Sequence, residues 1–354
     1  MSDTPSSACT LRVLKDGYWD RTEVIELADG SRRVRKRNKG AAAPGPWGLA
    51  SLRREIRYLR SLSPAAATVL PPLLASWDRT TAGTPDLGYE MPFYPEHTDA
   101  GELARRGSLA QAEINRFQDE LAIALLQRLH EPMPADEPLS RHVRAAVTEA
   151  LAGLAAEPAF AALIAAERVQ LNGRDVFGPR VAFEKITRDT DALAVLDAAP
   201  TVRIHGDFFL ENILWRREES GTDPRLILID PVSVAGIDCA LPLFDLVKYE
   251  SYATGELLAL RTEKVEINGY GAGDGRYSCR IRWEDETLQQ FRRMDWHQKF
   301  RRAYEAKYGA VNAQLHRLLD GYFSVAMALN TFGAQRQARL LKATADFNAV
   351  LGLG

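Results

Sequence analysis

Asp207 and Asn212 lie five positions apart in Ile-His-Gly-Asp-Phe-Phe-Leu-Glu-Asn, and Asp230 ends the apolar run Leu226-Ile227-Leu228-Ile229. The polar residues 216–225, with Gly221 and Asp223-Pro224, read as the turn of a hairpin that brings the second segment back to the first. Two carboxylates and an amide oxygen would then converge on one point. Oxygen groups of this kind suit phosphoryl transfer, in which the protein supplies position and fixed charge rather than covalent chemistry. One carboxylate accepts or orients a hydroxyl, while an amide oxygen and a second carboxylate hold a hard cation such as Mg2+ against nucleotide phosphates.

Alone, the pattern H-x-D-x-x-x-x-N at His205, Asp207 and Asn212 is short enough to arise by chance. Joined to Asp230 and to Phe244-Asp245-Leu246, it resembles the aminoglycoside phosphotransferase and choline kinase family, small-molecule kinases with a protein-kinase-like fold. The resemblance implies an α+β, bilobal chain. Residues 1–93 would form a small antiparallel β lobe that binds nucleotide, and 94–354 a larger, mainly helical lobe for catalysis and substrate. It implies ATP or GTP as phosphoryl donor, Mg2+ as cofactor, a small-molecule hydroxyl as acceptor, Asp207 as the catalytic residue and Asn212 and Asp230 as metal ligands. Asp245 would brace the catalytic loop. His205 reads as an imidazole that holds the loop through backbone groups, with Asp207 better placed to face the hydroxyl.

These residues need elements to carry them. Residues 11–13, 23–27 and 32–37 read as strands, the last two joined by Ala28-Asp29-Gly30-Ser31. The resemblance implies that Lys36, on the third strand, reaches the α and β phosphates, with Lys39 as the alternative cation. Pleat alternation turns Arg35 and Arg37 away from Lys36, although so basic a run also suits a solvated edge strand. Residues 49–62 place Leu52, Ile56, Leu59 and Leu62 on one helix face. By the resemblance, Glu55 on that helix would fix the Lys36 ammonium; otherwise Glu55 is an exposed charge. Residues 73–77 and 88–93 read as two more strands, ending at the break Tyr94-Pro95-Glu96-His97-Thr98. The resemblance makes this break the hinge, with Glu90, Met91 and Phe93 taking the base through the main chain.

The segment 15–22 is not a G-x-G-x-x-G loop, and Tyr18 and Trp19 are either lids or packing residues. After Asp230, Pro231-Val232-Ser233 stand where a D-F-G glycine would be, and no A-P-E follows, which argues against a phosphorylation-switched protein kinase. Residues 109–130 carry a helical stripe ending at His130, which reads as structural; 144–169 read as two helices broken at Glu157-Pro158, and 191–197 as a further helical piece.

A chain of 354 residues with formal net charge −2 gives no bulk-charge reason to expect a nucleic-acid or membrane partner. Cys9, Cys239 and Cys279 have neither disulfide-framework nor zinc spacing, and a reducing cytoplasm without export signal or membrane span is expected. Toward the C-terminus, 257–267 and 276–283 read as strands around the glycine-rich 269–275, a substrate-site wall or a peripheral ornament, and 285–308 and 311–351 as helices. Arg292, Arg293, Lys299, Arg301, Arg302 and Lys307 offset Glu284, Asp285, Glu286, Asp295 and Glu305, so no acidic basin for a polycation is evident. Tyr249, Tyr252, Trp283, Trp296 and Tyr304 suit a core better than a cage for choline, and the acceptor reads as a sugar-like or natural-product hydroxyl. A kinase-like binding module without transfer would not need Asp207, Asn212 and Asp230 together. A metal-dependent phosphoesterase would not need Lys36, Glu55 and a hinge.

Overall fold

The computed structural model describes residues 7–353 apart from 18–19, 40–45, 82–83, 219–223 and 233–235. Tyr18, Trp19, Gly221, Asp223 and Ser233 therefore lie outside the described residues. The chain divides into two compact units, one of 1–102, 123–129 and 205–238, the other of 103–122, 130–204 and 239–354.

The first unit opens with β1 (Ala8–Asp16), β2 (Asp20–Leu27), β3 (Arg32–Asn38), α1 (Pro46–Arg60), β4 (Ala75–Thr81) and β5 (Thr84–Pro92). The strands make one antiparallel sheet in the order β1-β2-β3-β5-β4. Gly30, at φ 81°, closes the β2–β3 turn by donating to the Leu27 carbonyl, a backbone angle that a residue without Cβ takes at no steric cost.

Despite its basic sequence, β3 is not an edge but the third strand of the order. Val34 and Lys36 turn to one face and are buried, while Arg33 and Arg35 turn to the other. There both guanidinium groups bond the fully buried Glu90 carboxylate of β5, and this compensation lets an arginine-rich strand run through a sheet. On the Lys36 side, α1 buries Leu52, Ile56, Tyr58 and Leu59 and packs on β3 and β5. Beyond β5 come β6 (Thr98–Asp99) and α2 (Ala100–Arg106), where Asp99 Oδ1 accepts from the Glu102 N–H at 2.6 Å.

The chain continues as α3 (Gln111–Ala122) and a π-helical stretch, Ile123–Leu129. Next come α4 (Leu139–Ala155) and α5 (Pro158–Ala165), parted at Glu157-Pro158 as the proline requires. Helix does not extend to residue 169. Instead β7 (Arg168–Leu171) and β8 (Arg174–Phe177) form a hairpin turned by Asn172 and Gly173, both at positive φ, the backbone that an Asn-Gly turn favours. After α6 (Pro179–Asp189), α7 (Ala192–Ala198) and β9 (Val202–Arg203), the chain rejoins the first unit. There β10 (Ile213–Trp215) pairs with β11 (Leu226–Leu228) on one side and β6 on the other.

In the second unit β12 (Cys239–Ala240) pairs with β9 and is followed by α8 (Leu243–Ala253). The expected strand over 257–267 is a helix, α9 (Glu256–Arg261), followed by the short β13 (Val265–Asn268). β14 (Arg276–Ile281) then completes a sheet ordered β13-β14-β7-β8, in which β14 runs parallel to β7. The two long C-terminal helices expected from the apolar stripes are four: α10 (Glu286–Arg292), α11 (Gln298–Tyr308), α12 (Ala313–Leu329) and α13 (Gly333–Val350). Tyr249, Tyr252, Trp296 and Tyr304 are buried, while Trp283 lies under the Arg292 guanidinium at 4.4 Å from its ring centre. Among the described residues no helix is long and apolar enough to cross a membrane.

α12 and α13 pack antiparallel, with Arg317 bonded to Asp346 and Gln314 to the Val350 carbonyl. A Cβ on Gly321 would lie 2.6 Å from the Phe347 ring, so this glycine permits the close approach. Gly321→Val is expected to cost about 1–3 kcal/mol by overpacking, read as a lower urea midpoint at unchanged slope. An unmoved midpoint would show that the pair can part without penalty.

Candidate active site

Lys36 is the hub of the first unit's polar core. Its Nζ donates to Glu55 Oε2 at 2.9 Å and Oε1 at 3.1 Å, and to Asp230 Oδ1 at 3.0 Å. A third carboxylate, Asp20, stands 3.7 Å away. The Tyr89 hydroxyl donates to Glu55 Oε1 at 2.7 Å, and Lys15 Nζ lies 3.6 Å from Asp230 Oδ2. The sheet register explains the grouping, because Thr22, Lys36 and Tyr89 stand side by side on β2, β3 and β5. Lys39, the alternative cation, pairs with Asp16 at 2.8 Å and takes no part in the cluster.

The charges are held by this geometry. Burial opposes protonation of Lys36, yet Asp230 and Glu55 hold its ammonium well above the ordinary lysine range. Burial likewise opposes ionisation of Asp230, but Lys36 and Lys15 keep its carboxyl well below the usual range. For Glu55 burial wins over Lys36 and pushes the carboxyl from 4.5 up to about 7. Its proton is thus bound more tightly in the folded than in the unfolded chain between those two values. The stabilisation that this gives is complete below pH 4.5 and is lost as pH rises through 7. Between pH 5.5 and 7, wild type is therefore expected to lose about 2 kcal/mol relative to Glu55→Gln, measured by urea unfolding. Parallel pH profiles would refute the shift.

Asp207 and Asn212 form the second group. The Asn212 amide nitrogen donates to the Asp207 carbonyl at 2.8 Å and to its Oδ2 at 3.3 Å, closing the loop between them. Residues 210–212 are a single 3-10 turn, and both side chains are buried. The two groups meet through the backbone: Ile229 N–H donates to the Asn212 carbonyl at 2.9 Å, and Val232 N–H to the His205 carbonyl at 2.6 Å. The hairpin expected around 216–225 is what sets Asn212 beside the residue preceding Asp230. Asp230 itself has φ 57° and Val232 φ 53°, a left-handed backbone that aspartate adopts more readily than most residues and that is unfavourable for the β-branched valine. At Gly101 a Cβ would sit 2.6 Å from Glu211 Cγ, so the start of α2 presses on the same loop.

The remaining sequence candidates lie elsewhere. Glu90 belongs to the opposite sheet face with Arg33 and Arg35, and its carbonyl accepts from Leu74 N–H at 2.8 Å. Met91 is buried within β5 opposite Val34, and Phe93 is the first residue past the strand. In the second unit His130 is buried, with Nε2 3.0 Å from Asp245 Oδ2 and Nδ1 3.1 Å from the Tyr308 hydroxyl. Sequence reasoning missed Lys15, Asp20 and Tyr89. Tyr89 meets Lys36 only through the β3–β5 register, which no connecting turn fixes, and the charges of the β1–β2 hairpin carried no mark of the site.

A family model described as the phosphotransferase enzyme family matches residues 10–260. No curated protein matches the sequence. Among solved structures, a macrolide 2′-phosphotransferase from Brachybacterium faecium is 16% identical over 97% of this chain and 93% of its own, with a TM-score of 0.44. A choline kinase from Cryptosporidium parvum is 13% identical over 98% and 88%, with a TM-score of 0.44. A glucosamine kinase in complex with glucosamine, ADP and inorganic phosphate is 16% identical over 96% and 94%, with a TM-score of 0.42.

Proposed function

Because the chain belongs to the phosphotransferase enzyme family, we propose that it transfers the γ-phosphoryl group of ATP or GTP to a hydroxyl of a small, sugar-like or natural-product molecule. The observation that carries this reading is the Lys36 hub, in which one buried ammonium is shared by Glu55 and by the Asp230 that neighbours the Asp207–Asn212 loop. Residues 1–93 would hold the nucleotide, and 94–354 would carry catalysis and the acceptor.

In this reading Lys36, oriented by Glu55, binds phosphate oxygens. The main chain at Glu90, Met91 and Phe93 takes the edge of the base. Asp207 receives the hydroxyl's hydrogen bond and then its proton, as the acceptor oxygen bonds to the γ-phosphorus and the bond from that phosphorus to the leaving nucleoside diphosphate breaks. The donor set fits Mg2+: Asp230 is kept ionised, and Asn212 spends its amide nitrogen on Asp207, which leaves its amide oxygen as the coordinating end. Bound there, the cation would neutralise charge on the phosphate oxygens. Asn212 and Asp230 would hold it, and the main-chain bond between Asn212 and Ile229 would fix their spacing.

The test is nucleoside diphosphate release with Mg2+ across sugars, aminoglycosides, amino alcohols and nucleosides, beside Asp207→Ala and Asp230→Ala. Acceptor-dependent release lost in both variants is expected. Nucleotide binding without transfer to any acceptor would favour a binding module, and hydrolysis of phosphate esters without an acceptor would favour a phosphoesterase.

A further inference from the structure

Behind the Lys36 cluster, the first unit holds a groove of about 380 Å³ between α1 and the β4–β5 hairpin. Its floor is apolar, made by the buried Ile56 of α1 and Leu87 of β5. Its rim is cationic, made by Arg53, Arg57, Arg60 and Arg79 against one lining carboxylate, Asp78. Two of the four arginines are already committed: Arg53 bonds Asp78 through two nitrogens at 2.7 and 2.9 Å, and Arg79 bonds Asp86 at 2.8 Å. The other two carry uncompensated charge. Arg60 donates to the Ser76 hydroxyl at 2.7 Å, and the Arg57 guanidinium makes no ion pair or hydrogen bond among the described residues; both side chains are exposed and line the groove.

Cations on the last turn of α1 complement the helix dipole, an effect of about 0.3–1 kcal/mol that asks for no cavity and no apolar floor. A concave apolar floor beneath two unneutralised guanidinium groups has the lining expected of a ligand site, with few polar groups placed over a hydrophobic surface. We propose that this groove is a second binding site, taking a small organic anion that carries a phosphate or similar dianion on an apolar body. The dianion sits between Arg57 and Arg60 and the body lies on Ile56 and Leu87.

Occupancy of the groove braces the element that orients Lys36. Ile56 adjoins Glu55 on α1, and Ser76, at the groove wall, is paired in register with Tyr89, whose hydroxyl holds Glu55. A ligand bridging α1 and β4 therefore ties together both supports of the Glu55 carboxylate. This inference does not depend on the transfer reaction, because binding and helix protection are measured without turnover.

The probe is phenyl phosphate, titrated calorimetrically beside inorganic phosphate and benzyl alcohol. Phenyl phosphate is expected to bind at least tenfold more tightly than either part alone, and to slow hydrogen exchange of α1 amides severalfold. Arg57→Gln with Arg60→Gln removes both cations without placing carboxylates at the end of α1, and is expected to weaken binding at least fivefold while lowering the melting temperature by no more than a few degrees. No binding of phenyl phosphate at millimolar concentration, or binding indifferent to these substitutions, overturns the proposal.

Discussion

Asp207→Ala is expected to lower kcat for acceptor phosphorylation by about 10³-fold while nucleotide affinity changes by less than about twofold. The expectation separates two roles that the loop combines. The Asp207 side chain would face the hydroxyl, whereas the shape of the loop depends on the Asp207 carbonyl, which accepts the Asn212 amide at 2.8 Å and survives the truncation. Single-turnover transfer and equilibrium nucleotide binding measured on the same sample check the two halves. Undiminished transfer would give proton acceptance to another group. Loss of nucleotide affinity would mean that the carboxylate itself holds the loop.

Lys36→Met is expected to cost about 3–5 kcal/mol of stability at pH 8, the range found when one partner of a buried ion pair is removed. Methionine keeps the length of the chain but leaves Glu55 and Asp230 facing each other without the ammonium between them. Glu55, already pushed up to about 7, then takes the proton more readily, because the lysine that lowered it is gone. Part of the lost stability should therefore return at pH 6, where Glu55 is neutral. Urea unfolding at the two pH values reads this directly, and an equal deficit at both would show that the cost lies in packing rather than in charge.

The Lys36 cluster was legible in part through local rules, while the pairing of Lys36 with Glu55 was implied by the family resemblance. Alternation along β3 turned Arg35 away from Lys36, and the helical stripe of α1 put Glu55 beside the face that packs on β3. The polar run after Arg216 announced the β10–β11 hairpin that carries Asp230 back toward Asn212. What failed was local pattern without a decisive period. Leu257-Leu258-Ala259-Leu260 is a continuous apolar run, equally compatible with a buried strand and with the helix that forms. Asn172-Gly173 is a strong hairpin signal, lost in reading the alanine-rich helices forward to residue 169. The C-terminal stripes persist through breaks at 293–297 and 330–332 that contain no proline, so periodicity alone merged four helices into two. Long-range compensation was harder still: nothing near Arg35 in sequence announces that Glu90 neutralises it.

The first unit gathers three stretches of chain separated by long excursions into the second. Lys36 and Asp230, bonded at 3.0 Å, are 194 positions apart, and β11 is tied to the N-terminal stretch by the Leu228 N–H on the Val69 carbonyl. During synthesis the sheet and α1 leave the ribosome long before the segment that completes them, so the nascent unit waits with its ammonium short of one counter-charge. Closing so long a loop is entropically costly and delays the contacts that repay it, which favours slow maturation with a partly formed intermediate. An isolated 1–102 fragment would thus be a half-built unit rather than a domain, able to mature only when a piece carrying 205–238 is supplied alongside it.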